Sequence, residues 1–421
     1  MNKKDQTNSY SPLGVGGFSN SPFRGLGGIL LLLLLFGLNN AVQAKSEVRG
    51  VWVPDPQYTD VMKSYKNVVD FVTTLDTLNF NSVFVVSYAL NKTLYPSKVL
   101  LKNTNYPSID STSLLTPFMK TYNEPRKSPS GDPVRDLISE AHKRNIKVFF
   151  WFEFGFMADI KLATPQNNPI LAKHPEWLGI GNDGKPANYN NHDYYFNSYN
   201  PKVQKFLLDL ITEAIKKYPD VDGIQGDDRL PASCINSGYD KKTVKSYQKA
   251  HKGQSPPQNF KDSAWMRWRL DILNNFGKTL YNKVKATQPN VMVSFAPNPY
   301  PWCKDNLMQE WPQWVSSGIC DLLAVQCYRR DSVAYANTVK AAQANIHLPA
   351  GKKMTFAPGV LLMVSGQISD AKEVKKQLLT NRILNSDGEI LFYNEGLRSP
   401  EVRKIIKEVY TEKVKFPKIK N

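Results

Sequence analysis

The stretch "NPKVQKFLLDLITEAIKKYPDVDGIQGDD", Asn200 to Asp228, contains one complete unit of the fold. Apolar residues recur at helical spacing from Val203 to Ile215, and Pro201 suits a first helical turn. A short link, "YPD", leads into the apolar run from Val221 to Ile224, which reads as a buried strand. That strand ends in adjacent aspartates, Asp227 and Asp228, where each charge makes the other costlier to ionise. A solvated turn would account for two Asp residues. Only the rest of the chain separates that reading from a functional one.

The same helix–link–strand unit repeats. Strand-like runs rich in Val, Ile, Phe and Tyr occur at 49–53, 82–88, 147–154, 221–227, 290–297, 322–328, 353–360 and 389–396. They are nearly continuous apolar runs without alternation, as parallel strands buried on both faces require. Amphipathic stretches such as "DPVRDLISEAHKRN" separate them, with Ser263 and Ser369 as expected N-caps and Pro133 and Pro201 at first turns. Eight such units predict an α/β chain folded as a (β/α)8 TIM barrel, a single domain over residues 45–421. Links from helix to strand are short, whereas about forty residues separate Tyr88 from Pro133 and a similar number Phe156 from Pro201. Long βα loops wall the C-terminal mouth of such a barrel, where active sites sit.

Residues 1–44 read as a signal peptide. Lys3, Lys4 and Arg24 precede a short apolar run, Gly27 to Leu38, and Val42 and Ala44 stand before the expected cleavage point. The run is shorter than the roughly 20 residues a membrane span needs; an uncleaved anchor is the alternative. The mature protein is therefore expected in the periplasm or medium, as a monomer. The chain carries a formal charge of +17, about +15 after cleavage. Its lysines are scattered and no nucleic-acid-binding signature occurs, so nucleic acid is not an expected partner. The surplus predicts a preference for neutral or anionic partners over polycationic ones, weakened by salt. Of four cysteines, Cys320 and Cys327 lie in or beside a strand, which leaves Cys234 and Cys303 as the pair open to a disulfide. Neither cysteines nor histidines show metal-ligand spacing, so no metal and no cofactor is expected.

Polar groups gather at the strand tips that form the mouth: Ser87 and Tyr88, Glu153, Asp227 and Asp228, Asn298, Gln326 and Tyr328, Asn394 and Glu395. A purely structural barrel does not need carboxylates there. Sugar sites also use aromatic platforms, and Trp302 in "NPYPWCKDN" and Tyr194 in "NHDYYF" suit that role, with His192 beside Tyr194. Trp151 stands on the rim too, although its position, like those of Trp52 and Trp268, is one where core packing is the ordinary role.

The segments "RGVWV", "NFNSVFVVSY" with "LYPSK", "HPEWL", "NPKV…VDGIQGDD" and "WRLDIL", in this order, resemble the glycosyl hydrolase-like family 10 proteins. These are exported bacterial (β/α)8 barrels related to the hydrolase domain of the polysaccharide-export protein PgaB. The resemblance implies a glycan-cleaving enzyme with the strand 4 aspartates at its centre. Two departures stand out. Gln225, Gly226 and Arg229 replace the family's usual histidine and aromatics around the pair, and Glu153 stands where an amide is common.

Glycoside hydrolysis uses two carboxyl groups, one donating a proton and one acting as nucleophile or base. Neighbours on a strand point to opposite sides, so Asp227 and Asp228 are not expected to be that pair. Asp228 is the expected substrate-facing residue and Asp227 its support. Glu395 is the first expected partner and Glu153 the second. The competing expectation is a non-catalytic glycan-binding barrel in an envelope or export assembly.

Overall fold

The computed structural model describes residues 46–124, 126–158, 167–189 and 193–418. Residues 1–44, expected to be a signal peptide, and His192 lie outside them.

Eight parallel strands form the barrel: β1 (Val48–Val53), β2 (Ser82–Val86), β3 (Lys147–Phe152), β4 (Gly223–Gly226), β5 (Met292–Phe295), β6 (Leu322–Leu323), β7 in two pieces (Thr355–Phe356 and Gly359–Leu361) and β8 (Gly388–Phe392). Each pairs with its sequence neighbours, as in Val83 with Val148 and Ile224 with Val293. Closure runs through β7. Its first piece pairs with β6 and its second with β8, while Gly359 N donates to Val325 O at 2.8 Å and Ile390 N to Pro358 O at 3.2 Å. Pro358 has no N–H to give, so the ladder changes partner around it. β8 then pairs with β1 and shuts the ring.

A helix follows each strand: α1 (Tyr65–Thr77), α2 (Pro133–His142), α3 (Pro201–Lys217), α4 (Ser263–Thr287), α5 (Trp311–Ser316), α6 (Ser332–Gln343), α7 (Ala371–Ile383) and α8 (Pro400–Val409). α3 turns Val203, Phe206, Leu207, Leu210, Ile211 and Ile215 inward, each burial stabilising by roughly 1.5–3 kcal/mol. Pro133 and Pro201 do open their helices, behind Asp132 and Asn200. The caps of α4 and α7 are Asp262 and Asp370, one residue away from the expected Ser263 and Ser369. A carboxylate accepts from the first-turn N–H groups and also meets the positive helix end, so the neighbouring aspartate wins.

At the floor of the barrel Phe84 and Phe149 stack at 4.5 Å, and Phe416 of the C-terminal tail lies 5.8 Å from Phe149. The tail also bridges back to the start of β1, Ser46 to Lys415. At the other end Trp52, Trp151, Tyr328 and Phe392 form an aromatic layer with ring centres 5.1 to 6.5 Å apart. Trp268, expected in the core, is half-buried on α4, 5.2 Å from Trp265.

All four cysteines are free and buried, so Cys234 and Cys303 form no disulfide. Their thiols face other partners, the carbonyls of Asn188 and Gln309. Among the described residues no helix is long and apolar enough to cross a membrane.

Candidate active site

β4 stops at Gly226, so Asp227 and Asp228 stand in a turn rather than on a strand. A Cβ on Gly226 would sit 2.3 Å from Leu230 O, and glycine is what lets the chain fold back this tightly. Strand alternation therefore does not separate the two aspartates. Both reach one guanidinium: Arg229 Nη1 is 3.0 Å from Asp227 Oδ2 and 3.4 Å from Asp228 Oδ1. Gln225, one step back, is absorbed into the barrel. It accepts from Trp52 Nε1 at 2.6 Å and donates to Ser294 Oγ at 2.8 Å.

Asp227 is 1% exposed and heavily supported. Trp151 Nε1 donates to it at 3.0 Å, Arg229 N at 2.9 Å, and Gln309 holds its backbone carbonyl at 2.8 Å. Burial above the aromatic layer, then the Asp228 charge, push its carboxyl well above the usual range, against the pull of Arg229. Asp228, at 7%, is the more open of the two; Asn298 Nδ2 donates to its Oδ2 at 3.1 Å.

Glu153 follows β3 and joins the same cluster. Arg229 Nη1 reaches its backbone carbonyl at 3.4 Å. The loop after β3 closes on Arg229 because Gly155, at φ +42°, has no Cβ to strike Arg229 O, and Phe156 N donates to that carbonyl at 3.0 Å. The Glu153 side chain is buried and its Oε2 has no hydrogen-bond partner among the described residues. Burial drives its carboxyl well above the ordinary range, with the charges of Asp55, Asp227 and Asp228 adding to the effect and Arg229 opposing it. Proton-holding is the state this environment favours.

Glu395 faces elsewhere. It opens a short helical turn after β8, accepts from Thr59 Oγ1 at 2.8 Å and Asn394 Nδ2 at 3.0 Å, and pairs with Arg398 at 2.6 Å. With those groups it lines a cavity of about 290 Å³ beside α1.

The other candidate contacts divide into two groups. Asn298 and Tyr328 adjoin the cluster: Tyr328 is half-buried, and burial together with the Asp228 and Asp227 charges raises its phenol far above the usual value. Trp151 is buried and serves Asp227. Tyr88 is fully buried in a hairpin, and Gln326 is committed to Ala296 O at 2.8 Å. Tyr194 is half-buried, and Trp302 is half-buried at the head of a short helix, Trp302–Leu307. Asp55 was not foreseen. It stands just past β1 and acts on Glu153, and the strand-tip reasoning applied to strands 3, 4 and 8 would have reached it on strand 1. Among the described residues no three His, Cys, Asp or Glu side chains are arranged to hold a metal ion.

A carboxyl cluster at the mouth of a closed barrel is the setting of a glycosidase site, and the family comparison agrees: the glycosyl hydrolase-like 10 family matches residues 47–349. The chain belongs to that family. Its relatives include the glycosyl hydrolase DigH of Escherichia coli K12, 23% identical over 80% of this chain and 77% of that protein. Another is the glycosyl hydrolase YngK of Bacillus subtilis 168, 23% identical over 68% and 55% respectively. Among solved structures, the PgaB glycoside hydrolase domain of Bordetella bronchiseptica superposes with a TM-score of 0.58 at 12% identity, covering 86% of this chain and 98% of that one. A β-galactosidase from Rahnella sp. R3 gives 0.57 at 14% identity, over 88% and 56%. At these identities the structural likeness speaks for the barrel.

Proposed function

We propose that the protein is an exported glycoside hydrolase that cleaves a bacterial polysaccharide, with Asp228 and Glu153 as its working carboxyl groups. The observation that carries this reading is the unequal treatment of the two acids. Asp228 is the more open one and receives donors from Asn298 and Arg229, which suits a carboxylate acting as nucleophile or base. Glu153 is buried among like charges, which suits a proton donor for the leaving oxygen. Asp227 is a positioning residue: through Trp151 and Arg229 it fixes the base of the cluster. Glu395, the first partner expected from sequence, is bound into its pair with Arg398, and this favours Glu153. The surface charge surplus supports neutral or anionic polymers over polycationic ones as substrates.

Arg229 bridging both aspartates also supports a second reading, a non-catalytic glycan-binding barrel in which the pair is a hydrogen-bonding clamp. One experiment separates the two. The mature protein is incubated with purified exopolysaccharides and cell-wall glycans, and released fragments are read by mass spectrometry. Fragments that appear with the wild type and vanish with Asp228→Asn support the hydrolase. Retention of a glycan by the wild type with no fragments from any polymer would establish the clamp instead.

A further inference from the structure

We propose that the cavity between the loops after β1, β2 and β3 is a subsite that holds one pyranose residue of the glycan beside the bond to be cut; this rests on the hydrolase reading above. The cavity measures about 480 Å³, within the roughly 300–1,000 Å³ of small-molecule sites, and opens on the same face as the carboxyl cluster. Asp55 connects the two. It lines the cavity and its charge acts on Glu153.

The lining has the composition a sugar ring needs. Leu90, Tyr106 and Phe118 supply apolar surface for the flat face of a pyranose, while Asp55, Gln57 and Lys92 supply acceptors and donors for hydroxyls at its edge. Lys92 is half-buried and makes no ion pair among the described residues. Its ammonium lies 5.4 Å from the centre of the Tyr106 ring, which keeps the charge at the cavity wall.

The backbone supports the assignment independently. Leu90 and Asn91 form the two-residue turn between Tyr88–Ala89 and Lys92–Thr93, at φ +53° and +54°. Such a turn favours Asn, Asp or Gly at both places, and a side chain like leucine costs about 1–2 kcal/mol there. The cost brings Leu90 and Lys92 into the cavity together. Between them, both amide atoms of the buried Asn91 side chain lack a partner among the described residues.

The test is binding as a function of ligand length. The mature chain and its Lys92→Ala and Tyr106→Ala variants are applied to immobilised bacterial envelope oligosaccharides, from disaccharides to about octasaccharides. The wild type is expected to bind longer ligands more tightly until the cavity is filled. Each variant should lose about tenfold on the longer ligands, the scale of one lost contact face, and almost nothing on the shortest. Among the described residues Lys92→Ala removes no side-chain hydrogen bond or ion pair, so it carries the test if Tyr106→Ala fails to fold. Wild-type length dependence in Lys92→Ala, or a wild type indifferent to length, overturns the subsite. Turnover is scored separately: ligands bound in the expected pattern but never cut would end the hydrolase reading and leave the subsite standing.

Discussion

The two ends of the barrel both bury carboxylates, and they treat them in opposite ways. At the floor, four of them meet a cation. Glu47 meets Arg49 and Arg382, Glu389 meets Arg382 and accepts from Tyr410, Asp321 meets Lys285, and Asp222 meets Lys147 and His142. At the mouth, Asp55, Glu153, Asp227 and Asp228 gather around Arg229. The consequence is a difference of sign. Asp222 is lowered, because the bonds from His142, Lys147 and the Val148 N–H outweigh the burial that opposes them. Glu153 is raised by the same burial, which Arg229 alone does not offset. Paired charges hold the fold, and the unbalanced ones of the proposed site are kept at a cost in stability.

The sharpest way to break the comparison is to neutralise the mouth. Asp228→Asn should lower turnover by about 10²-fold or more while thermal stability stays near wild type. Glu153→Gln should match it in magnitude. Full activity in either variant, measured by fragment release, would return the mouth to the status of the floor.

Stability against pH separates the ends without a substrate. The Asp222 carboxyl is lower in the folded state than in the unfolded one, so its contribution is present above the ordinary carboxyl range and disappears as pH falls through the folded value. Asp222→Asn should therefore destabilise by about 1 kcal/mol at neutral pH and by little in strong acid. Glu153 has the opposite shift: the unfolded chain ionises first, so stability is full at low pH and is lost as pH rises toward the folded value. Glu153→Gln should raise the thermal midpoint at neutral pH, with the gain vanishing below about pH 4. Equal signs for the two variants would refute the contrast.

The smallest effect is expected from Glu395→Gln. Its partner Arg398 is largely exposed, so stability should move by less than about 1 kcal/mol and turnover hardly at all. A loss comparable to that of Asp228→Asn would restore Glu395 as the second acid.

The strands were legible because burial on both faces writes continuous Val, Ile and Phe runs, and their order follows from the chain. Their ends were less so. Asp227 reads as the last strand residue, yet the backbone has already turned at Gly226, a matter of contact with Leu230 that no periodicity reports. The choice between Glu153 and Glu395 was open for a similar reason. Both are carboxylates at strand tips, and what separates them is pairing: Glu395 has Arg398 to itself three residues on, whereas Glu153 is buried and shares Arg229 with both aspartates. Cys234 and Cys303 share a loop setting in the sequence, but their thiols turn to different carbonyls.

The bridge between Ser46 and Lys415 has a practical corollary. It brings the start of β1 and the tail side by side beneath Phe149, so both ends of the described chain leave from the floor. A tether or affinity tag joined at Ser46 or Lys418 starts on the side opposite the carboxyl cluster. Coupled to a surface at either residue by a short link, the described barrel keeps its mouth on the far side.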